Sequence, residues 1–530
     1  MAAITTAIEL ELIGRDAGWT AISGDVLSPL SMRYGIRGSG PTDRTASSGQ
    51  CRFVLDNSAS NSGGVVGYYS PGHASARPGF TLGIRVRVTL TDPATSVSTV
   101  KFVGSITTIV PDAGAYGSRR VQVEASDWMD DAARANTQGI TTQINKRSDE
   151  VFSTLVSNVA RAPEATSIAT GRDTYAYALD TAQDEKATPI LGEIASVVAS
   201  ELGYCYQKGD GTVVFEARFN RLSITDQLIL TNDMEQVGVT NDRSDVLTRV
   251  QVTTHPRTVD TSNVVLYQLK TVTRVPFGES ITLLGPYTDP DARATRVGGT
   301  SMVTPVAVTD YLMNSLADGT GNNLTNSFSV SAELGGNSVR FTITNNATVE
   351  GFITFLQTRG LGIYDYEKTV AEVSNSALAA SYGDSVAIVN MPFQDDPAVG
   401  INAARYLLGL YEPATVGIWY LGQSGASELG VTTQLAYFAP VAVGSVRLSP
   451  RTSALQTQMI VREVGDRIRV NETVTGLAAS FYIQSVDMDV VAPGIPTVTW
   501  GLAPAGAQLY WALGQTGYGE LGETTWLSYS

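Results

Sequence analysis

Apolar and polar residues alternate with a period of two through much of this chain. Three runs near the start show it: Gly83-Ile-Arg-Val-Arg-Val88, Phe102-Val-Gly-Ser-Ile-Thr-Thr-Ile-Val110 and Val121-Gln-Val-Glu-Ala-Ser-Asp-Trp128. Three runs near the end repeat the plan: Asp466-Arg-Ile-Arg-Val470, Phe481-Tyr-Ile-Gln-Ser-Val-Asp-Met-Asp-Val490 and Val498-Thr-Trp-Gly-Leu502. A period of two buries one face of a strand and leaves the other wet. Each triplet therefore predicts a piece of twisted antiparallel sheet or barrel. The chain between them reads as connections and insertions.

Other stretches follow the same rule or switch to a helical one. Ile8, Leu10 and Leu12 alternate with Glu9 and Glu11, which predicts an early strand. Cys51–Asp56 is a second strand, and Tyr68 and Tyr69 sit in a Gly/Pro loop that reads as exposed. Ser126 is placed to cap a helix with an acidic first turn. Val151, Phe152, Leu155, Val156 and Val159 share one helical face. A second helix is predicted from Thr188 as N-cap and Pro189 in the first turn, with Gly203 ending it. A hairpin then pairs Tyr204–Tyr206 with Thr212–Glu216 across Lys208-Gly-Asp-Gly211. Val246–Val252 and Val264–Leu269 predict a long hairpin. Ser327–Ser331 and Val339–Ile343 flank Gly335, and Gly351–Leu356 follows, which predicts a small sandwich. Ser385–Val389 reads as a buried strand, and Asp396 caps a helix carrying Val399, Ile401, Ala404, Leu407 and Leu408.

A clearer repeat lies in the last quarter. Residues 419–437 recur as residues 511–529, with 12 identities in 19 aligned positions. The repeated unit suggests strand, Gly-rich turn, strand. Its aromatics, Trp419, Tyr437, Trp511, Tyr518, Trp526 and Tyr529, are candidates for contact with a partner or a glycan. The plainer reading is that the tryptophans fill cores.

Composition narrows the function. At 530 residues the chain is too long for one core. Gly is abundant, with 51 residues, and only 16% of residues are charged, which suits short strands and turns. The net charge of −15 and the lack of basic runs disfavour binding to a phosphate backbone. Two cysteines, Cys51 and Cys205, give no disulfide framework and are expected as free buried thiols. No stretch approaches the roughly 20 apolar residues of a membrane helix. Residues 1–14 lack a basic start and an apolar run, so no Sec export is expected.

Candidate chemistry is sparse. The two histidines, His73 and His255, lie in a Gly/Pro loop and before Pro256, and neither adjoins a nucleophile. Carboxylate pairs exist at Asp395 and Asp396, Asp289 and Asp291, and Asp487 and Asp489, and a glycosidase would need two across a cleft. No loop carries a full calcium ligand series with its central Gly. No phosphate-binding Gly loop is present. No catalytic, cofactor or metal residues are assigned, and no enzyme activity is expected.

Several short motifs are familiar in combination. They are Phe53-Val-Leu-Asp-Asn57, Phe102-Val-Gly-Ser-Ile106, Glu124-Ala-Ser-Asp-Trp128, the helix at 189–202 with its hairpin, Tyr382-Gly-Asp384, Asn390-Met-Pro392, the helix to Leu408, Gly465-Asp-Arg-Ile468, Phe481-Tyr-Ile483 and Trp500-Gly-Leu502. With them the chain resembles the tail hub, or baseplate hub-like minor tail, proteins of tailed bacteriophages. The resemblance implies a mainly β, multidomain chain with α+β insertions and two tube-like β-barrel modules. The matching organisation is an N-terminal β-module at 1–145, a helix-plus-hairpin block at 146–222, and the first part of a second module at 223–275. A sandwich insertion at 276–370, a strand-helix unit at 371–415 and a closing module at 416–530 follow. It further implies a homotrimer at the virion tail tip, made in the host cytoplasm. The implied neighbours are the tail tube or a distal tail protein, a tape measure protein, and tip or fibre proteins. DNA passes such a hub without specific binding, and no membrane insertion or cofactor is implied. A tail-tip hydrolase and a receptor- or glycan-binding protein are the alternatives.

Overall fold

The two alternating triplets become parts of one 13-stranded sheet. The computed structural model describes residues 3–411, 415–416, 436–437, 442–491 and 494–505, apart from 39, 115–116, 180–187, 223–224 and 241–245. In chain order the strands of the large sheet are β1 (Thr5–Leu10), β2 (Thr20–Ala21), β3 (Val26–Gly35), β4 (Gln50–Asp56), β5 (Arg85–Asp92), β6 (Val97–Pro111) and β7 (Arg120–Ser126). They continue with β8 (Leu228–Thr231), β9 (Gln236–Thr240), β10 (Ala442–Leu448), β11 (Arg467–Glu472), β12 (Leu477–Val491) and β13 (Ile495–Pro504). The spatial order is β9-β10-β13-β12-β3-β4-β7-β6-β5-β1-β2, with β11 on the first half of β12 and β8 beyond it. The protein is mainly β, with helices set between the strands.

The alternation does what the sequence predicts. Along β5 the even positions Val86, Val88 and Leu90 are buried, and along β12 so are Val486, Met488 and Val490. Both sets belong to a single apolar cluster that runs from Ile4 to Leu502. The helix α1 (Trp128–Arg134), α2 (Ser148–Ser157) and α3 (Ile190–Glu201) pack into the same cluster. The hairpin of Tyr204–Gln207 and Thr212–Glu216 forms as expected.

Three local expectations are corrected. Asp127, not Ser126, caps α1, its carboxylate accepting from the Met129 N–H at 3.1 Å. α3 begins one residue later than predicted, with Pro189 as N-cap, and it ends on Leu202 in the left-handed region at φ 56°. Gly203 is required for a different reason: a Cβ there would strike the Glu216 carbonyl of the adjoining hairpin. Tyr69 is fully buried rather than exposed, with its hydroxyl donating to Asp25 at 2.6 Å and accepting from Arg77 at 2.7 Å.

Two further clusters lie in the middle of the chain. The expected hairpin of 246–252 with 264–269 does not form. Arg249–Thr254 already has both edges occupied, by Thr369–Ser374 antiparallel and Val386–Met391 parallel. Helix α5 (Pro397–Tyr411), which follows α4 (Ser376–Tyr382), covers one face of that sheet with Ala403, Ala404, Leu407 and Leu408. Asp396 accepts from the Ala398 N–H at 2.8 Å, as a cap should. Val264–Gln268 instead joins a sheet organised on the 15-residue strand Gly351–Asp365. A three-stranded sheet of Ser280–Pro286, Ser338–Asn345 and Phe328–Leu334 shares its core through Phe341, Ile343 and Val339. That pairing of two sheets is the predicted sandwich.

Candidate functional site

The candidate site is the seam between two copies of one module. In the first copy β5, β6, β7, β4 and β3 are neighbours in that order; in the second β11, β12, β13, β10 and β9 are. The register matches in detail. Arg85 lies opposite Ser105, and Arg467 opposite Tyr482. The next ladder slips between Ile106 and Thr108 in one copy and between Ile483 and Ser485 in the other. Gly83 donates to the Ile106 carbonyl at 2.8 Å, and Gly465 donates to Ile483 at 2.9 Å. Both glycines have positive φ, +81° and +93°, which L side chains rarely adopt. The copies differ at one flank: β1 runs antiparallel to β5, whereas β8 runs parallel to β11.

The copies meet where β3 lies on the second half of β12. The pairs run from Leu30 and Val490 to Gly35 and Ser485, and the Ile36 N–H donates to Gln484 at 2.7 Å. Gly35 has φ +102°, and a Cβ there would come within 2.8 Å of the Ser485 Cα, so only glycine fits the seam. Leu30 and Met32 of β3 are 4% and 0% exposed and belong to the large apolar cluster.

A buried ionic knot fastens the seam. Lys101, a bulged residue of β6 with no exposure, pairs with Glu463 and donates to the Arg462 carbonyl at 2.7 Å. Tyr34 of β3 donates to the same carboxylate at 3.0 Å, and the Gly209 N–H does so at 3.3 Å. Three remote segments thus converge on one carboxylate. Beside it, buried Arg221 pairs with Glu216 and stacks on the Tyr204 ring at 3.5 Å.

Among the carboxylates singled out by sequence Asp289, Asp291, Asp396 and Asp487 have structural partners, as do both histidines. Asp289 accepts from the N–H groups of Asp291, Arg293 and Ala294 and so organises its loop. Asp487 and Asp489 lie opposite Arg33 and Ser31 across the seam. His73 accepts from the Ser75 N–H at 3.1 Å; His255 bonds Asn390 at 2.7 Å, and burial lowers its pKa. Asp395 is half-buried, and burial raises its pKa. A cavity of about 450 Å³ between β1, β5 and α1 has its guanidinium Arg85 paired with Glu11 at 3.3 Å and stacked on Trp19. Among the described residues no group of three or more His, Cys, Asp or Glu is arranged to hold a metal ion, and no helix is long and apolar enough to cross a membrane. Both cysteines are free and buried. Of the aromatic candidates, Trp419, Trp511, Tyr518, Trp526 and Tyr529 lie outside the described residues. Tyr437 does so with its side chain, its backbone pairing with Thr415.

Comparison with known proteins follows the fold. Solved structures similar to this chain include three described as tail proteins. The 43 kDa tail protein of prophage MuSo2 from Shewanella oneidensis is 9% identical, with TM-score 0.45 over 94% of this chain and 97% of that one. A tail protein from Neisseria meningitidis MC58 is 8% identical, with TM-score 0.45 over 94% and 96%. Prophage tail protein gp18 from Listeria monocytogenes EGD-e is 8% identical, with TM-score 0.40 over 94% of each chain. No family model and no curated protein matches the sequence.

Proposed function

We propose that this chain is a structural component of a bacteriophage tail, a hub ring at the tip built from three copies. The observation that supports it is the repeated module. Two equivalent modules in one continuous sheet let three chains present six similar units to a six-fold tube. A heterologous contact that repeats from copy to copy closes a ring when the rotation fits. The ring adapts the tube, or a distal tail protein, to tip or fibre proteins, and it surrounds a passage for DNA and the tape measure protein. A net charge of −15 suits that role, because an acidic wall repels the DNA backbone and lets it slide. Asp289, Asp291, Asp396 and Asp487 are engaged in a loop, a cap and ion pairs, which favours this reading over a glycan or peptidoglycan hydrolase. The test is placement. Gold-labelled antibodies against residues 257–365, applied to phage particles that carry this chain, are expected to mark the tail tip. Label along the whole tube, or none on the particle, overturns the reading.

A further inference from the structure

We infer that the far end of the sandwich insertion is a docking face for another protein of the same particle, one with an apolar centre ringed by basic side chains. This rests on the reading of the chain as a tail component and adds a partner surface outside the two modules. Three loops build that end. Arg274 and Asn314 both pair with Phe352, so their strands flank the start of Gly351–Asp365 on its two sides. The chain leaving each of those strands, and the chain entering Gly351, place loops 276–279, 315–323 and 346–350 together. At the other end of the same strand Asp365 pairs with Arg257 at 3.0 Å, where the insertion joins the rest of the chain. At a rise of about 3.3 Å per residue the strand carries the loops up to ~45 Å from that junction.

Each loop exposes one large apolar side chain: Phe277 is 62% exposed, Leu316 51% and Val349 47%. None of the three belongs to the sandwich core. Buried polar groups nevertheless hold their loops in place. Asn345 has no exposure, and its amide donates to the Val275 and Val349 carbonyls at 3.0 Å each. Its side-chain oxygen accepts from the Ala347 N–H at 2.9 Å. Its backbone accepts from the Gly278 N–H at 3.1 Å and donates to the Glu279 carbonyl at 3.0 Å. One asparagine thus sets two loops against each other. Thr325, 2% exposed, ties down the return of the third by accepting from the Met313 N–H at 3.1 Å. Apolar groups on loops already fixed lose little freedom when covered, which is the preorganisation a binding face needs.

Charge defines the occupant. Glu279, Asp318 and Glu350 are exposed, and the three loops contain no Lys or Arg. Arg274, at the edge, pairs with Glu350 at 2.6 Å, which leaves the other two acids uncompensated by it. Such a rim repels phosphate-bearing glycans and anionic lipid headgroups and complements a basic one. Large apolar groups left bare invite association. A lasting cover therefore fits better than a host surface met only at infection, and the particle itself supplies it.

The test is photo-crosslinking in the full chain. Phe277 is replaced by p-benzoylphenylalanine, and free particles are irradiated before they meet a host. An adduct with one different protein of the particle is expected. The same replacement at Leu316, on a separate loop, is expected to catch the same protein. At Ser331, exposed in mid-strand of the same sandwich, no adduct is expected. Glu279→Lys with Glu350→Lys is expected to cut the yield from position 277 by at least about tenfold. Particles that contain the chain but give no adduct overturn the docking face and leave the tail reading standing. So does an adduct only with copies of this chain, or one that forms only after adsorption to cells. Equal yield from Ser331, or a yield that charge reversal leaves unchanged, also overturns the face as described. Particles that lack the chain remove the tail reading and this face together. Should the variants fail to assemble, carbodiimide coupling of unmodified particles decides. Glu279 or Glu350 is expected to join a lysine of another protein, and no such link overturns the face.

Discussion

Lys101→Ala is expected to lower the unfolding free energy by about 3–5 kcal/mol, read as a fall in the urea midpoint without a change in slope. The side chain is completely buried, and among the described residues its ammonium is the only cation paired with Glu463. Removing it leaves a carboxylate that is 16% exposed, facing the Tyr34 hydroxyl and the Gly209 N–H. Breaking one partner of a buried pair costs more than replacing both, because the surviving charge keeps its desolvation penalty. The double variant Lys101→Met with Glu463→Gln is therefore expected to recover more than half of the loss. Its glutamine oxygen still accepts from Tyr34 and Gly209. A double variant as unstable as Lys101→Ala would show that lost packing, not the stranded charge, sets the cost.

Asp127→Asn is expected to remove a pH dependence on the order of 4 kcal/mol. Burial pushes the Asp127 pKa from 3.8 up to about 7, against the Gly49 and Met129 backbone groups that favour the charged form. Its second oxygen is buried with no hydrogen-bond partner. The folded protein thus holds a proton that the unfolded chain releases above its ordinary carboxylate pKa. Stability from this group is complete below pH 3.8 and declines as pH rises toward about 7, where the buried carboxylate ionises. The asparagine keeps the cap through its oxygen and has no such decline. The variant is therefore expected to gain on the wild type between pH 4 and pH 8. Parallel stability curves over that range would place the ionised carboxylate in a solvated site instead.

The repeated module was legible in the chain because Gly83-Ile-Arg-Val-Arg-Val88 and Gly465-Asp-Arg-Ile-Arg-Val470 share a strained glycine and an alternating strand. The alignment of the next strands was not. Sequence pairs Phe102 with Phe481, whereas the ladders put Gly104 where Phe481 stands. A Cβ on Gly104 would lie 2.8 Å from the Phe102 ring, so that ring fills the space a side chain at 104 would occupy. Period two reports which face is buried, not which strand lies beside which. The seam of β3 on β12 therefore left no local signal. Nor did Lys101, a lysine in a polar-looking position whose partner is 362 residues away. The sandwich was legible from its Gly-flanked hairpin. The neighbours of Arg249–Thr254 were not, since a parallel partner arrives only after a long crossover.

The mass of the purified protein in dilute solution, measured by sedimentation, bears most directly on two modules per chain closing a ring. Three times the 56.2 kDa of one chain is expected. A single-chain mass that persists as protein concentration rises, or a closed two-chain particle, contradicts it.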